Sequence, residues 1–294
     1  MTILEKYSSP NPETLNRQHL KGAIMRYSAF EILKQGLSGN KGWKPVWREP
    51  EPKAEYDVII VGGGGHGLST AYYLSKVFGM RNIAVLEKGW LGSGNIGRNT
   101  TIIRSNYMMP GNQPFYEFSL KLWEGLEQDF NYNAMVSQRS ILNLFHSDPQ
   151  RDAFVRRANA MILSGADAEL ADEAQLRREL PFLDFDNARF PIKGGLYQRR
   201  GGTVRHDAVA WGYARGADSR SVDIIQNCEV TGFDIENGVC TGVQSSKGPI
   251  RAKKVAVCVA GSSSRVMSLA GMRLPIEDRK STRLNSSHQI ISYA

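Results

Sequence analysis

Gly62, Gly64 and Gly67 fill the three positions of a G-x-G-x-x-G turn between an apolar run, Val58 to Val61, and a helix-like stretch beginning at Leu68. Each glycine has a mechanical task in dinucleotide binding. Gly62 turns tightly, Gly64 lets a pyrophosphate reach the backbone, and Gly67 lets helix pack closely on strand. The helix start then offers N–H groups to phosphate. A second apolar run, Ile83 to Leu86, ends in Glu87, about 20 residues beyond Gly67, where a carboxylate suits two ribose hydroxyls and repels a 2′-phosphate. The pattern favours FAD or NAD over NADP. Lys88, next along, joins the expected cofactor-binding set.

Gly89 to Tyr107 follows with little helix or strand signal and many polar donors, and a loop this long inside a compact domain is usually functional. Its donors suit a cofactor's pyrophosphate and ring. Arg104 could pair a substrate carboxylate or serve as a structural arginine of a surface loop. Gly261, just past the apolar run Val255 to Val259, gives a second close approach of backbone to cofactor. His206 sits in a glycine loop immediately before Asp207, the expected N-cap of a helix over 208–217; by residue type alone it reads as a polar neighbour of the cap.

The elements that must position these groups are those of an α/β protein. The chain has 294 residues, 41% apolar and 22% charged, long enough for two domains and a sizeable core. Three cysteines in strand-like runs, with no metal-ligand spacing, read as buried thiols of a reducing compartment, hence a cytoplasmic protein. No run approaches the length of a membrane helix. The net charge of +8 is spread along the chain, so a nucleic-acid surface is not expected, and no membrane surface either.

Residues 1–24 read as an unpacked extension, with Met25 as an alternative start, and 28–37 as a short helix followed by the anchors Trp43, Val46 and Trp47. Pro114 to Phe130 reads as an amphipathic helix whose stripe Phe115, Phe118, Leu122, Leu126 and Phe130, with Trp123 beside it, is core. Helices are expected over 148–163, with Phe154, Val155, Ala158 and Ile162 inward, over 172–180, and from Ser262 to Leu269. Strands are expected over 140–144, 194–198, 222–226, 229–233, 242–245 and 255–259. The resulting organisation is an extension and arm (1–54), a Rossmann-like FAD-binding domain in two segments (55–110 and 200–277), and between them (111–199) helical cover and an incomplete antiparallel-sheet, α+β substrate domain.

The run from Tyr56 through Glu87 to Tyr107, the stretch Gly201 to Trp211 and the stretch Ile224 to Phe233 together resemble the beta-subunit family of heterotetrameric sarcosine oxidases, among the glycine-oxidase and D-amino-acid-oxidase-like flavoproteins. The resemblance covers about Arg26 to Glu277, around the first two-thirds of the family's subunit, so the chain is expected to be a fragment that binds FAD weakly and has no oxidase activity of its own. It implies non-covalent FAD, with Gly62, Gly64 and Gly67 at the diphosphate, Glu87 at the ribose and Val230 at adenine. His66, Asn95, Arg98, Asn99, Thr100 and Ile103 would line the flavin and its linker, and Arg104 would grip the substrate carboxylate. It also implies FMN joined covalently to His206, with Arg199, Arg200 and Arg205 offering cations to its phosphate.

The implied reaction is oxidation of sarcosine's N-methyl carbon. Electrons would pass from FAD through FMN to oxygen, and the methylene would go to tetrahydrofolate or leave as formaldehyde. The implied partners are alpha, gamma and delta subunits. Alternatives are a dimethylglycine or glycine oxidase working without partners, and an FAD-containing assembly subunit with no turnover. Past Glu277 the resemblance stops: Asp278 to His288, DRKSTRLNSSH, reads as a translated sequencing adapter, with Gln289 to Ala294 as its continuation, where the family would supply more substrate-domain strands, a catalytic lysine and a last glycine-rich FAD segment.

Overall fold

The structure, a computed structural model, describes residues 28–43, 47–107 and 111–276. The expected extension, the start at Met25, the anchor Val46 and the adapter-derived tail lie outside the described residues. The chain divides into two units, 1–46 and 47–294. In the first, helix α1 (Ala29–Leu37) is capped by Ser28, whose side chain accepts from the Glu31 N–H, and its buried Gln35 accepts from the Gly42 N–H at 3.0 Å.

The larger unit is built on a six-stranded sheet whose central strands come from both ends of the sequence. Strand β1 (Glu55–Val61) leads through helix α2 (Gly65–Val77) to β2 (Ile83–Leu86), which pairs parallel to β1. The intervening chain contributes β3 (Ile102–Ile103), helix α3 (Asn112–Phe130), β4 (Ile141–Phe145), α4 (Asp148–Leu163), β5 (Glu169–Asp172), α5 (Glu173–Glu179), β6 (Gly194–Gln198) and β7 (Gly202–Thr203). Helix α6 (His206–Asp218) then returns the chain to the sheet as β8 (Asp223–Ile225), followed by β9 (Val230–Glu236), β10 (Val239–Ser245) and β11 (Gly248–Val257), and helix α7 (Ser263–Ser268) comes last among the described residues. The order is β8-β2-β1-β11-β10-β9, with β8, β2, β1 and β11 parallel and β10 and β9 added antiparallel.

Parallel strands buried on both faces must be apolar throughout, which is why β1 and β2 read as continuous apolar runs. On one face Val58, Ile60, Ile83, Val85 and Ile224 pack under Leu68, Ala71 and Tyr72 of α2 and Ala210, Tyr213 and Ala214 of α6. On the other, Tyr56, Ile59, Val61, Ala84 and Leu86 meet Val230, Val243, Ile250 and Ala252. The Tyr72, Phe130 and Tyr213 rings meet edge to face at 4.8–5.6 Å and tie α2, α3 and α6 together. Asp223, almost fully buried at the start of β8, is matched by Lys53 at 2.7 Å, Arg48 at 3.3 Å and the Tyr56 hydroxyl at 3.1 Å. A second, three-stranded antiparallel sheet, β4-β6-β5, lies between Ala158, Met161 and Phe154 of α4 on one side and Leu176, Ile192 and Leu180 on the other.

Several sequence expectations need correction. In α3 the buried positions are Gln113, Glu117, Leu120 and Leu126, while Phe115 is 68% exposed, because a polar network rather than an apolar stripe occupies part of the inner face. In α4 Met161 is buried and Ile162 points outward. Helix α6 begins at His206, capped by Arg205 without a side-chain bond, so Asp207 lies inside the first turn rather than at the cap. Strand β11 is ten residues long and ends at Val257; Arg251 and Lys253 face solvent on it, while Ile250 and Ala252 are buried, so its charges hid it. Of the cysteines only Cys228 is fully buried, in a loop; all three are free.

Burial, joined by the Asp223 carboxylate, pushes the Tyr56 hydroxyl up to about 12, and burial does the same for Tyr213. The folded chain therefore keeps protons that an unfolded tyrosine releases near pH 10, so this contribution to stability is complete below about pH 10 and is lost between about 10 and 12. Chemical denaturation across that window should show the decline, and Tyr213→Phe should make it shallower, leaving the part that Tyr56 contributes. Tyrosines that all ionise near pH 10 in an intact fold would contradict this burial.

Candidate functional site

The carboxyl ends of β1, β2, β8 and β11 point to one crevice, and the strand order reverses direction between β1 and β11, which is where open α/β sheets bind ligands. Gly62 lies there at φ +106°, a conformation that excludes a side chain; a Cβ would also stand 2.5 Å from the Cys258 carbonyl oxygen. The Gly62 N–H donates to the Leu86 carbonyl at 2.8 Å and the Cys258 N–H to the Val61 carbonyl at 2.8 Å, so the turn is clamped between β2 and β11. A Cβ on Gly67 would overlap the Gly62 carbonyl oxygen. At Gly64, the extended N-cap of α2, a Cβ would meet nothing within 4 Å: the backbone there faces open space, and no side chain caps the helix. Helix geometry leaves the N–H groups of Gly65, His66 and Gly67 without carbonyl partners inside α2.

Glu87, at the tip of β2, is held by this turn. Its two carboxylate oxygens accept from the Gly63 N–H at 2.8 Å and the Gly89 N–H at 2.9 Å, which fixes the group beside the glycines while leaving lone pairs for further donors. The Cys228 N–H donates to the Glu87 carbonyl at 2.9 Å, bringing Val230, two residues on, to the same side. Lys88 is exposed beside it.

The segment after Glu87 folds over the turn. The Leu91 N–H donates to the Gln226 side chain at 2.8 Å, and Ile96 approaches Gly65. Asn95 to Arg98 form one 3-10 turn; Asn99 donates to the Ile96 carbonyl and accepts from the Thr101 N–H, and Thr100 is exposed between them. His66, Asn95, Arg98, Asn99 and Thr100 are exposed, whereas Ile103 is buried in the core, its backbone paired with Gly202 across β3 and β7. Val259 to Gly261 turn at the end of β11, with Gly261 exposed.

Arg104 follows β3. Its guanidinium lies 4.8 Å from the Tyr107 ring centre, and among the described residues no carboxylate pairs with it. The arginines expected to serve an FMN phosphate differ: Arg199 is bound to Glu169 and Glu179, Arg200 to Glu117 and Glu124, and Arg205 to Asp207. These pairs raise the arginine pKa values and, through the Arg205 hydrogen bond first, lower that of Asp207. His206 opens α6 with its ring Nδ1 buried and without a hydrogen-bond partner among the described residues.

Sequence reasoning missed Gln226, which holds Leu91, and Glu117 and Gln198, which hold Ser105 next to Arg104; these partners are up to 135 residues apart and share no local pattern.

The clamped glycine turn, the open backbone at Gly64 and the Glu87 carboxylate fit the diphosphate and ribose of an adenine dinucleotide. The comparisons agree with that class of protein. Residues 57–291 match the family described as FAD dependent oxidoreductase (DAO), and the chain belongs to that family. It is 72% identical over 253 residues to sarcosine oxidase subunit beta of Rhizobium meliloti (strain 1021), covering 86% of this chain and 61% of that protein. It is 51% identical over 233 residues to sarcosine oxidase subunit beta of Arthrobacter sp, covering 79% and 58%. The chain thus spans about three-fifths of the length of these curated relatives. Among solved structures it resembles in fold the L-proline dehydrogenase from P. horikoshii (TM-score 0.70, 24% identity, 75% of this chain and 57% of that one) and the glycine oxidase from Geobacillus kaustophilus (0.67, 20%, 76% and 60%).

The two glycines should separate in a mutational test. Gly67→Ala forces a Cβ into backbone and should cost roughly 3 kcal/mol or more, whereas Gly64→Ala, at φ −79° with open space, should change stability by about 1 kcal/mol or less. Equilibrium denaturation of the two variants checks this; equal costs would show that the turn is not packed as described.

Proposed function

We propose that this chain is the FAD-binding part of the flavoprotein subunit of a heterotetrameric sarcosine oxidase, acting with alpha, gamma and delta subunits in the cytoplasm. The observation that carries the reading is Arg104: a guanidinium just past β3, over the Tyr107 ring, with no carboxylate partner among the described residues, while Arg199, Arg200 and Arg205 are all paired. An amino-acid substrate brings the missing carboxylate. The 72% identity to a protein named sarcosine oxidase subunit beta supports sarcosine as that substrate.

In this reading Gly62, Gly64, Gly67 and the α2 N-terminus hold the FAD diphosphate. Glu87, with Lys88 beside it, holds the ribose, Val230 the adenine, and His66, Asn95, Arg98, Asn99, Thr100, Ile103 and Gly261 the remainder of the cofactor. Bound FAD supplies the acceptor for the two electrons and the hydrogen removed from the N-methyl carbon. Arg104 pairs the substrate carboxylate and so orients the N-methyl group. The oxidised methylene, left as an iminium on glycine's nitrogen, reacts with water to give glycine and formaldehyde or passes to tetrahydrofolate. FMN, where bound, would supply the route by which those electrons reach oxygen. His206 is the proposed covalent FMN attachment; its buried, unpartnered ring nitrogen supports this, and since Arg199, Arg200 and Arg205 are spent on carboxylates, the phosphate is assigned to other groups.

The test uses the full-length subunit assembled with its partners. Anaerobic sarcosine should bleach the flavin absorbance, Arg104→Ala should raise the half-saturating sarcosine concentration by roughly tenfold or more, and His206→Ala should lose the flavin that survives acid precipitation while keeping FAD. Flavin that stays oxidised in excess sarcosine would overturn the reading.

A further inference from the structure

The residues on either side of Arg104 are held in place, and the hydrogen bonds of the next residue, Ser105, lead to one buried carboxylate. Before it, Ile103 is fixed by the β3–β7 pairing and by burial. After it, Ser105 is fully buried; its N–H, which shares a peptide plane with the Arg104 carbonyl, donates to Gln198 Oε1 at 3.1 Å, and its hydroxyl donates to Glu117 Oε2 at 2.8 Å while accepting from Gln198 Nε2 at 2.7 Å. The Asn106 carbonyl accepts from Arg157 at 3.0 Å, and Tyr107 stacks on Tyr116 of α3 at 4.0 Å. These restraints on Ile103, Ser105 and Asn106 narrow backbone rotation at Arg104, and the Tyr107 ring limits its side chain.

Glu117 is 9% exposed and carries the charge of this network. Its second oxygen meets Arg200, which also binds Glu124 at 2.8 and 3.0 Å and, through its own N–H, Asp167 at 2.7 Å; Asp167 in turn accepts from Gln198 at 3.2 Å. The Glu117–Arg200 pair is partly buried, with 33% of the Arg200 side chain exposed, and a pair that gives up hydration in this way gains little net stability from its attraction. What it supplies is a single geometry. A carboxylate, an arginine and a glutamine joined through Ser105, the residue next to an unpaired guanidinium, contribute position rather than strength.

We infer that Glu117, acting through Ser105 with Gln198, is the positioning residue that sets Arg104 for the substrate carboxylate. The inference rests on the reading of Arg104 given above. Its consequence is a selective one: loosening Ser105 lets the guanidinium wander, which weakens carboxylate binding far more than it alters the cofactor turn, whose clamps at Val61, Leu86 and Cys258 share no residue with this network.

The experiment takes the full-length assembled oxidase with Glu117→Gln, Ser105→Ala, the double variant and Arg104→Ala. It measures KM and kcat for sarcosine, flavin content, and the dissociation constant of acetate read from the flavin spectrum. Glu117→Gln and Ser105→Ala should each raise KM and the acetate constant by roughly tenfold, with kcat at saturation within about twofold and flavin content unchanged. The double variant should be no worse than the weaker single one, since both break one path. Should Glu117→Gln fail to assemble, Ser105→Ala, which removes one hydroxyl, carries the same expectation. If Arg104→Ala weakens acetate while the Glu117 and Ser105 variants bind it normally, or if those variants lose flavin and kcat together, the positioning role is overturned and the Arg104 reading stands. If Arg104→Ala binds acetate as tightly as the parent, the Arg104 reading itself falls.

Discussion

Parallel pairing of Glu55–Val61 with Arg251–Val257 is the contact on which the site depends. Backbone hydrogen bonding between strands so far apart in sequence brings the turn after Val61 against Cys258, and that contact requires a glycine at 62 and an approach no side chain would permit. The clamped turn then aims the free N–H groups of α2 into the crevice and offers the Gly63 N–H to Glu87. Cradle and carboxylate are thus one hydrogen-bonded object, and a change in the β1–β11 register would take both apart.

Charge is distributed by the same logic. The net excess of +8 does not form a basic surface patch around the expected FMN site, because carboxylates contributed by α3, β5 and α5 neutralise Arg199 and Arg200. Arg157, held against the Asn106 carbonyl, has its pKa lowered by burial and then by the nearby Arg104 charge, so two cations share this corner with no acid between them among the described residues. An anion arriving there meets two uncompensated guanidinium groups.

What was legible in the sequence was what is local. Strand, glycine spacing and acid follow one another within about 30 residues, as a βαβ unit requires, so the turn and Glu87 could be read directly. Strand β5, Glu169–Asp172, could not: its residues have low strand propensity and form a strand because β6 supplies partners. The ends of β11 were hidden by charges that face solvent on alternate positions. In α3 an apolar period cannot report Gln113 and Glu117, which are buried as members of a polar set assembled from distant parts of the chain. Asp207 looked like a cap by residue type, yet its carboxylate is taken by Arg205 and by the Ala208 N–H.

The central claim, that the Gly62 turn and Glu87 form the site for the adenine half of the cofactor, is tested most directly by FAD fluorescence titration of this chain with competing nucleotides. The account predicts that ADP displaces FAD, that ADP bearing a 2′-phosphate competes at least about tenfold less well, and that Glu87→Gln weakens ADP and narrows that preference. FAD binding that ADP does not disturb, or an unchanged preference in Glu87→Gln, would contradict it.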